Sequence, residues 1–507
     1  MKTQINHPGG IMTLNELGKN QLKDSPLWND DLRPTTLDEH SWTGYSYGSL
    51  WVGMCCCIPT YMMAAGMLSL GMDWFQTLAT IFIGSAIVLI PILLNSNAGT
   101  KYGIPYPVFA RLWFGSKGAH IPTLARGIVG AGWFGINCWI GAGSIDICLQ
   151  AFLPVWRTVP GHTAIIFAIF WALNVGISAF GMQAMRKLSA VAAPLLAIAF
   201  IALAIWALVS MGGVGPLFTI ESKFTTTGSF LRVFFPAMTG VIAFWATLAL
   251  NVPDFCRYAK SQKTQAVAQT IALPISMLTI CGISIIVTSA TIVLYGKALW
   301  DPVAVISHFP PFVVFIGTLI IILASLVINV NANVVAPARA VENISPRRFT
   351  FAAGVLVTGV LALLMQPWAL MANFGNYIFG WLGTYGALLG PIDGIAVFDY
   401  WVARHRRINL AELYDPNGRY SYSSGFNKSA IYALIIALVV VSLGLFVKPL
   451  FFLWDNAWTV GLFVAGLTYY FFMRNDKSLV SEEEFAEITE DLSGVSVDAI
   501  SSENASS

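Results

Sequence analysis

The sequence predicts an all-α integral membrane protein of about twelve transmembrane helices, arranged as a 5+5 inverted repeat with two helices added, and three observations carry that prediction. Hydrophobic residues make up 56% of the 507 and charged residues 11%, whereas a soluble domain carries about 25% charged residues because its surface faces water. Stretches of roughly 20 apolar residues, the length that crosses a hydrocarbon core about 30 Å thick, recur along the chain. Two of those stretches carry matching interruptions, Gly53 to Pro59 in the first and Pro236 to Gly240 in the sixth. An offset of five spans reverses the direction of crossing, which is what an inverted repeat leaves in a sequence.

The spans fall near 46–72, 76–96, 123–151, 162–183, 189–211, 230–252, 268–295, 312–338, 349–366, 370–399, 429–447 and 456–474. They divide the chain into an N-terminal tail (1–45), a transmembrane domain (46–474) and a C-terminal tail (475–507). The first tail is polar, with Lys2, Lys19, Asp30, Asp31, Arg33, Asp38 and Glu39, and has no short apolar core followed by a cleavage site, so the first helix is expected to act as its own signal. The second carries Glu482, Glu483, Glu484, Glu487, Glu490 and Asp491 before a Ser-rich end; both tails read as solvated and mobile.

Orientation follows from the basic residues, which concentrate in cytoplasmic loops. With both termini inside, 23 of the 28 Lys and Arg residues lie inside, leaving Arg157, Lys223, Arg232, Lys297 and Lys448 outside. Most basic residues then read as topology signal. The chain shows no basic patch of the nucleic-acid-binding kind, and no nucleic-acid partner is expected. The seven cysteines (Cys55, Cys56, Cys57, Cys138, Cys148, Cys256, Cys281) lack the paired spacing of a zinc site and read as small packing residues. No metal or cofactor is expected. The six His residues are scattered, which speaks against a membrane enzyme, and no repeated filter-like segment suggests a channel.

Interrupted helices expose backbone polar groups at the bilayer midplane, where they bind a solute or cation that lipid rejects. The side chains around them suit a flat heterocycle, which is held by aromatic faces and by amides offering both a donor and an acceptor. Trp133 and Asn137 lie one turn apart in 132-GWFGIN-137, Trp245 follows the second interruption, and Asn329, Asn331 and Asn333 crowd one segment of span eight. Three buried amides demand partners, which makes that cluster the strongest of these signals. Among the acids, Asp146, Asp254, Asp393 and Asp399 are costly if they face lipid. Asp254 and Asp399 lie near helix ends and read as groups in water, whereas Asp393 does not.

At these residues the chain resembles the nucleobase-cation-symport-1 family, in its allantoin, hydantoin and uracil permease branch. The resemblance runs from about residue 25 to 475 and rests on 97-NAGTKYGIPYPVFAR-111, 133-WFG-135, 251-NVPDF-255, 366-QPW-368 and 389-LGPIDGIAVFDYWVARHRRINLAELY-414. It implies a LeuT-like fold and import of a small planar heterocycle by alternating access, without covalent chemistry. Carried over by position, Trp133 and Trp245 would sandwich the ring and Asn333 would bond its edge. Asn137 stands where relatives often have Gln, and Cys57 where they have Gln or Asn. A sodium site would need carbonyls near Gly53 and Cys56, another at Ala324 and two hydroxyls at positions held here by Val327 and Ile328. Apolar side chains do not ligate a hard cation, so the resemblance favours proton coupling, or facilitated uptake, over sodium. The alternative is a sodium-coupled carrier of the same fold for a ring-bearing vitamin or an amino acid.

Overall fold

The computed structural model describes residues 2–180, 182–219, 221–299, 301–372 and 380–493, without the side chains at 182–186, 188, 189 and 219. The Ser-rich end, the Arg186 side chain and residues 373–379 of the expected tenth span lie outside the described residues.

The helices that form the membrane domain are α1 (Gly44–Cys55), α2 (Ile58–Ser69), α3 (Trp74–Tyr102), α4 (Tyr106–Phe114), α5 (His120–Phe152), α6 (His162–Ser178), α7 (Met182–Met211) and α8 (Thr227–Asn251). They continue with α9 (Gln262–Tyr295), α10 (Pro311–Ile328), α11 (Val335–Ile344), α12 (Phe351–Leu364), α13 (Gly383–Val397), α14 (Lys428–Phe446) and α15 (Ala457–Met473). Seven helical segments among the described residues are long and apolar enough to cross a bilayer, and two bent pairs bring the figure to nine. Two shorter apolar helices, α6 and α12, have 17 and 14 residues.

The first interruption is where the sequence puts it. α1 and α2 meet at 52°, with Cys57 extended (φ −127°, ψ 158°) and Pro59 in the first turn of α2, where its missing N–H costs nothing. The second is not: α8 runs unbroken through Pro236 and Gly240 and stops at Val252, before Pro253. A proline inside a packed membrane helix removes one donor, and its neighbours absorb the loss. The second irregular segment lies instead in span eight, where Asn329–Asn333 forms a π turn between α10 and α11; a further π turn, Phe398–Ala403, follows α13.

Packing sorts the helices into two groups. α1, α2, α3, α8 and α9 pack on one another, as do α5, α6, α10, α11 and α12. α13 lies on α8 and on α15, and α7 lies along α1, α9 and α10. Close approach of α13 to α15 depends on glycine. A Cβ at Gly394 would stand 2.0 Å from Leu462 O, and one at Gly390 2.3 Å from Trp458 O. Gly394→Ala is therefore expected to lower stability by about 1–3 kcal/mol, the usual cost of overpacking, read as an earlier thermal transition of the detergent-solubilised protein. An unchanged transition contradicts this packing.

Far from being loose, the tails cover one end of the helices. β1 (Gln4–His7) pairs with β2 (Ile11–Leu14) and, in parallel, with β3 (Thr489–Asp491) from the C-terminal tail. Ile11, Met12, Leu14, Leu22 and Leu32 are buried, so these positions carry enough apolar area to hold the tail down. Thr35 bonds Gly103 O and Arg257 O, both at 2.9 Å, and Asp31 meets Arg339 at 3.3 Å. Burial pushes the Glu39 carboxyl up, but hydrogen bonds from Arg33 and Thr36 outweigh it and hold the group down at about 2. Several basic residues are likewise more than topology signal: Arg111, Arg126, Arg339 and Arg404 are buried and bonded.

Candidate solute site

The groove between the two helix groups contains a small cavity. From the first group it is lined by Cys57 and Pro59 at the α1–α2 break and by Phe244, Trp245, Thr247 and Leu248 of α8. From the second come Trp133 and Asn137 of α5 together with Ile328, Ala332 and Asn333 around the π turn. All five residues expected to face a solute, Trp133, Asn137, Trp245, Asn333 and Cys57, thus meet at one place.

Their polar groups are set by short local bonds. Asn137 Nδ2 donates to Trp133 O at 3.0 Å, one turn back on α5, while its buried Oδ1 accepts nothing from the described residues. Asn333 Nδ2 donates to Asn329 Oδ1 at 2.9 Å. Asn329 in turn donates to Asn174 Oδ1 at 3.0 Å and to Phe134 O at 3.3 Å. Asn329 is thus the fixed anchor that joins α5, α6 and the π turn, and Asn333 the member that reaches the cavity. An inserted residue re-aims side chains, which is why π turns recur at binding sites. Cys57 Sγ lies 3.2 Å from Thr60 Oγ1. A buried acceptor without a donor is costly, and Asn137 Oδ1 can recover that cost from a ring N–H.

The cavity is closed. Its volume is about 20 Å³, room for about one water molecule and none for a ring. Phe244, which the sequence reading passed over, bridges the two indoles edge-on, with ring centroids 5.2 Å from Trp133 and 4.9 Å from Trp245. On one side Tyr385 Oη accepts from Trp133 Nε1 at 3.3 Å, and Trp381 packs edge-on to both Trp133 and Tyr385. On the other side Arg126 ties the helix groups together. Its Nε donates to Thr247 O (2.6 Å) and Asn251 Oδ1 (3.0 Å), and its Nη2 to Ala332 O (2.9 Å). Arg126 was legible only as a charge in an apolar stretch, two turns before Trp133.

The positions weighed for a cation, Gly53, Cys56, Ala324, Val327 and Ile328, lie on the packed pair α1 and α10 and its margin, and all five are buried. Their side chains bring no oxygen, and Ile328 lines the solute cavity. Among the described residues no group of three or more His, Cys, Asp and Glu side chains could hold a metal ion.

The intramembrane acids divide by partner. Asp146 accepts from His162 Nδ1 (2.7 Å), Trp156 Nε1 (2.8 Å), Thr163 Oγ1 and Gln150 Nε2 (both 3.0 Å). Asp254 and Asp399 are not in water: they are 2% and 0% exposed. Asp254 accepts from Tyr106 N at 2.8 Å, and Asp399 from Arg404 Nε at 2.9 Å and Tyr469 Oη at 2.5 Å. The folded tails cover these helix ends, which sequence position alone does not reveal.

The chain and its fold have known relatives. Residues 34–467 match the family model described as permease for cytosine/purines, uracil, thiamine, allantoin. The chain is 37% identical to the purine-uracil permease NCS1 of Arabidopsis thaliana, over 91% of this chain and 80% of that one. It is 34% identical to the allantoin permease of Bacillus subtilis, over 90% of this chain and 96% of that one. Among solved structures, Mhp1, a nucleobase-cation-symport-1 family transporter in a closed conformation with bromovinylhydantoin bound, aligns with a TM-score of 0.76 at 26% identity, over 91% of this chain and 99% of that one. The fold is therefore the LeuT-like fold of that transporter, the chain is a multi-pass membrane permease and not an enzyme, and it belongs to the nucleobase-cation-symport-1 family.

Proposed function

We propose that the protein imports a small planar heterocycle such as allantoin, uracil or another nucleobase, or a hydantoin, by proton-coupled alternating access. The observation that carries this reading is the closed cavity between the helix groups, lined by two indoles, two amides and a thiol. A flat ring offers faces to Trp133 and Trp245 and an N–H and carbonyl edge to Asn137 and Asn333. A cavity of about 20 Å³ holds no such ring, so entry requires Phe244 to swing aside and the helix groups to part. Separation on the Tyr385 and Trp381 side opens one path, and release of the Arg126 bonds opens the other. The protein lies in the cell membrane, both termini cytoplasmic, as the bias of its basic residues favours. The absence of side-chain oxygen at Val327 and Ile328 favours a proton over sodium.

Uptake of labelled allantoin, uracil and a hydantoin into cells expressing the chain tests this reading. Saturable uptake that ignores sodium and collapses with a protonophore is the expected result; failure of every ring compound rejects the substrate class, and strict sodium dependence rejects the coupling. A second prediction concerns Cys57, the cavity-lining cysteine among seven buried free thiols. A small methanethiosulfonate should inactivate transport, excess solute should protect, and Cys57→Ala should be resistant. Inactivation that solute does not slow separates the thiol from the solute path.

A further inference from the structure

Asp393 of α13 lies in none of the contacts described for the solute site. Its side chain is fully buried. Asn95 Nδ2 of α3 donates to its Oδ1 at a long 3.4 Å, while the same amide makes its shorter bond, 2.9 Å, to Ala249 O of α8. Two oxygens here, Asp393 Oδ2 and Asn95 Oδ1, have no hydrogen-bond partner among the described residues, and the Trp458 indole N–H of α15 faces the carboxyl. Asp393 forms no ion pair among the described residues. The elements packed on it offer no compensating charge: α3 presents Asn95, α8 a carbonyl, α15 an indole and α4 the phenol of Tyr106, whose hydroxyl donates to Pro122 O. Arg126 of α5 is bonded to α8 and the π turn instead.

We propose that Asp393 is the residue that takes up and gives off the coupled proton, at the contact between α13 and the helix group that carries Cys57 and Trp245. An ionised carboxylate in so dry a place would be an uncompensated buried charge, the most expensive polar group a fold can hold. A proton on Oδ2 removes that charge and turns an orphan acceptor into a donor. The neutral acid and Asn95 then present matching edges, acid O–H toward amide carbonyl and amide N–H toward acid carbonyl, which is the two-point pairing that satisfies both orphan oxygens. The closed state accordingly holds one proton. α13 is locked to α15 through Gly390 and Gly394, so a rocking of the first helix group against the α13–α15 pair moves Asn95 and Ala249 away from Asp393 and admits water. There the proton passes to water and the carboxylate is hydrated; on reloading, the carboxylate takes a proton back from the proton-rich side.

The inference rests on the carrier reading above, and the experiment separates the two. Purified protein is reconstituted into vesicles with an alkaline interior, and wild type is compared with Asp393→Asn, which keeps the shape and the Asn95 contact. Wild type should concentrate the ring solute several-fold above the medium and also catalyse solute counterflow. Asp393→Asn should keep counterflow within about twofold of wild type and show no concentration. Absence of counterflow in wild type overturns the carrier reading; an Asp393→Asn protein that still concentrates solute overturns this inference alone. Should the variant not fold, wild type decides with a pH indicator in weakly buffered solution: cycling with solute is expected to move one proton per solute, and solute flux with no proton movement sinks the proposal.

Discussion

Trp133→Ala is expected to lower kcat/KM for ring uptake by roughly 5- to 150-fold, because loss of one aromatic stacking face costs about 1–3 kcal/mol. Trp133 is 5% exposed and fixed on three sides, by Phe244, by Tyr385 and by Trp381. A ring that takes the place of Phe244 against the indole must gain enough from stacking to offset the contacts that its entry displaces. Trp133→Phe keeps a face and loses the bond from Nε1 to Tyr385 Oη, so its loss should be well below that of the alanine variant. Initial rates against concentration, normalised to protein in the membrane, give the comparison. An alanine variant as active as wild type removes Trp133 from the solute path.

Arg404→Gln should prevent stable folding. The guanidinium and the Asp399 carboxylate are both 0% exposed. Arg404 Nε donates to Asp399 Oδ1 at 3.0 Å and Oδ2 at 2.9 Å, and its remaining donors reach Ser478 O and Tyr422 Oη, both at 2.7 Å. Removing one partner of such a pair strands the other charge, at a cost of about 3–5 kcal/mol, a large share of a typical folding free energy of roughly 5–15 kcal/mol. Fluorescence-detected size-exclusion chromatography should show a lost or aggregated peak. Replacing both partners, Asp399→Asn with Arg404→Gln, removes the stranded charge and should recover part of the folded peak. A single variant that elutes and melts like wild type contradicts the pair as an anchor.

How much was legible before the structure follows from what each signal depends on. Local chemistry carried far: Trp133 and Asn137, one turn apart, share one cavity with Trp245, Asn333 and Cys57. The Gly53 to Pro59 break also reads from local residues, because consecutive positions must leave the helix there. Pro236 misled because a proline marks a place where a helix can break, and packing decides whether it does. The amides at 329, 331 and 333 were noticed as a cluster, but the π turn that divides them into anchor and reader is a tertiary outcome. Asp254, Asp399 and the tails were misjudged for one shared reason. At that end tail residues fold back on the helices, Asp31 on Arg339, Thr35 on Arg257 and Ser478 on Arg404, and no local pattern announces contacts at such separations.

The central claim is that the cavity between the helix groups is the solute site, and equilibrium binding to purified protein tests it most directly. Labelled allantoin, uracil and a hydantoin are titrated against wild type, Trp133→Ala and Trp245→Ala. Wild type is expected to bind at least one of these rings saturably, with binding weakened by about an order of magnitude or more in each variant. Saturable binding that both alanine variants retain unchanged would place the solute elsewhere and contradict it.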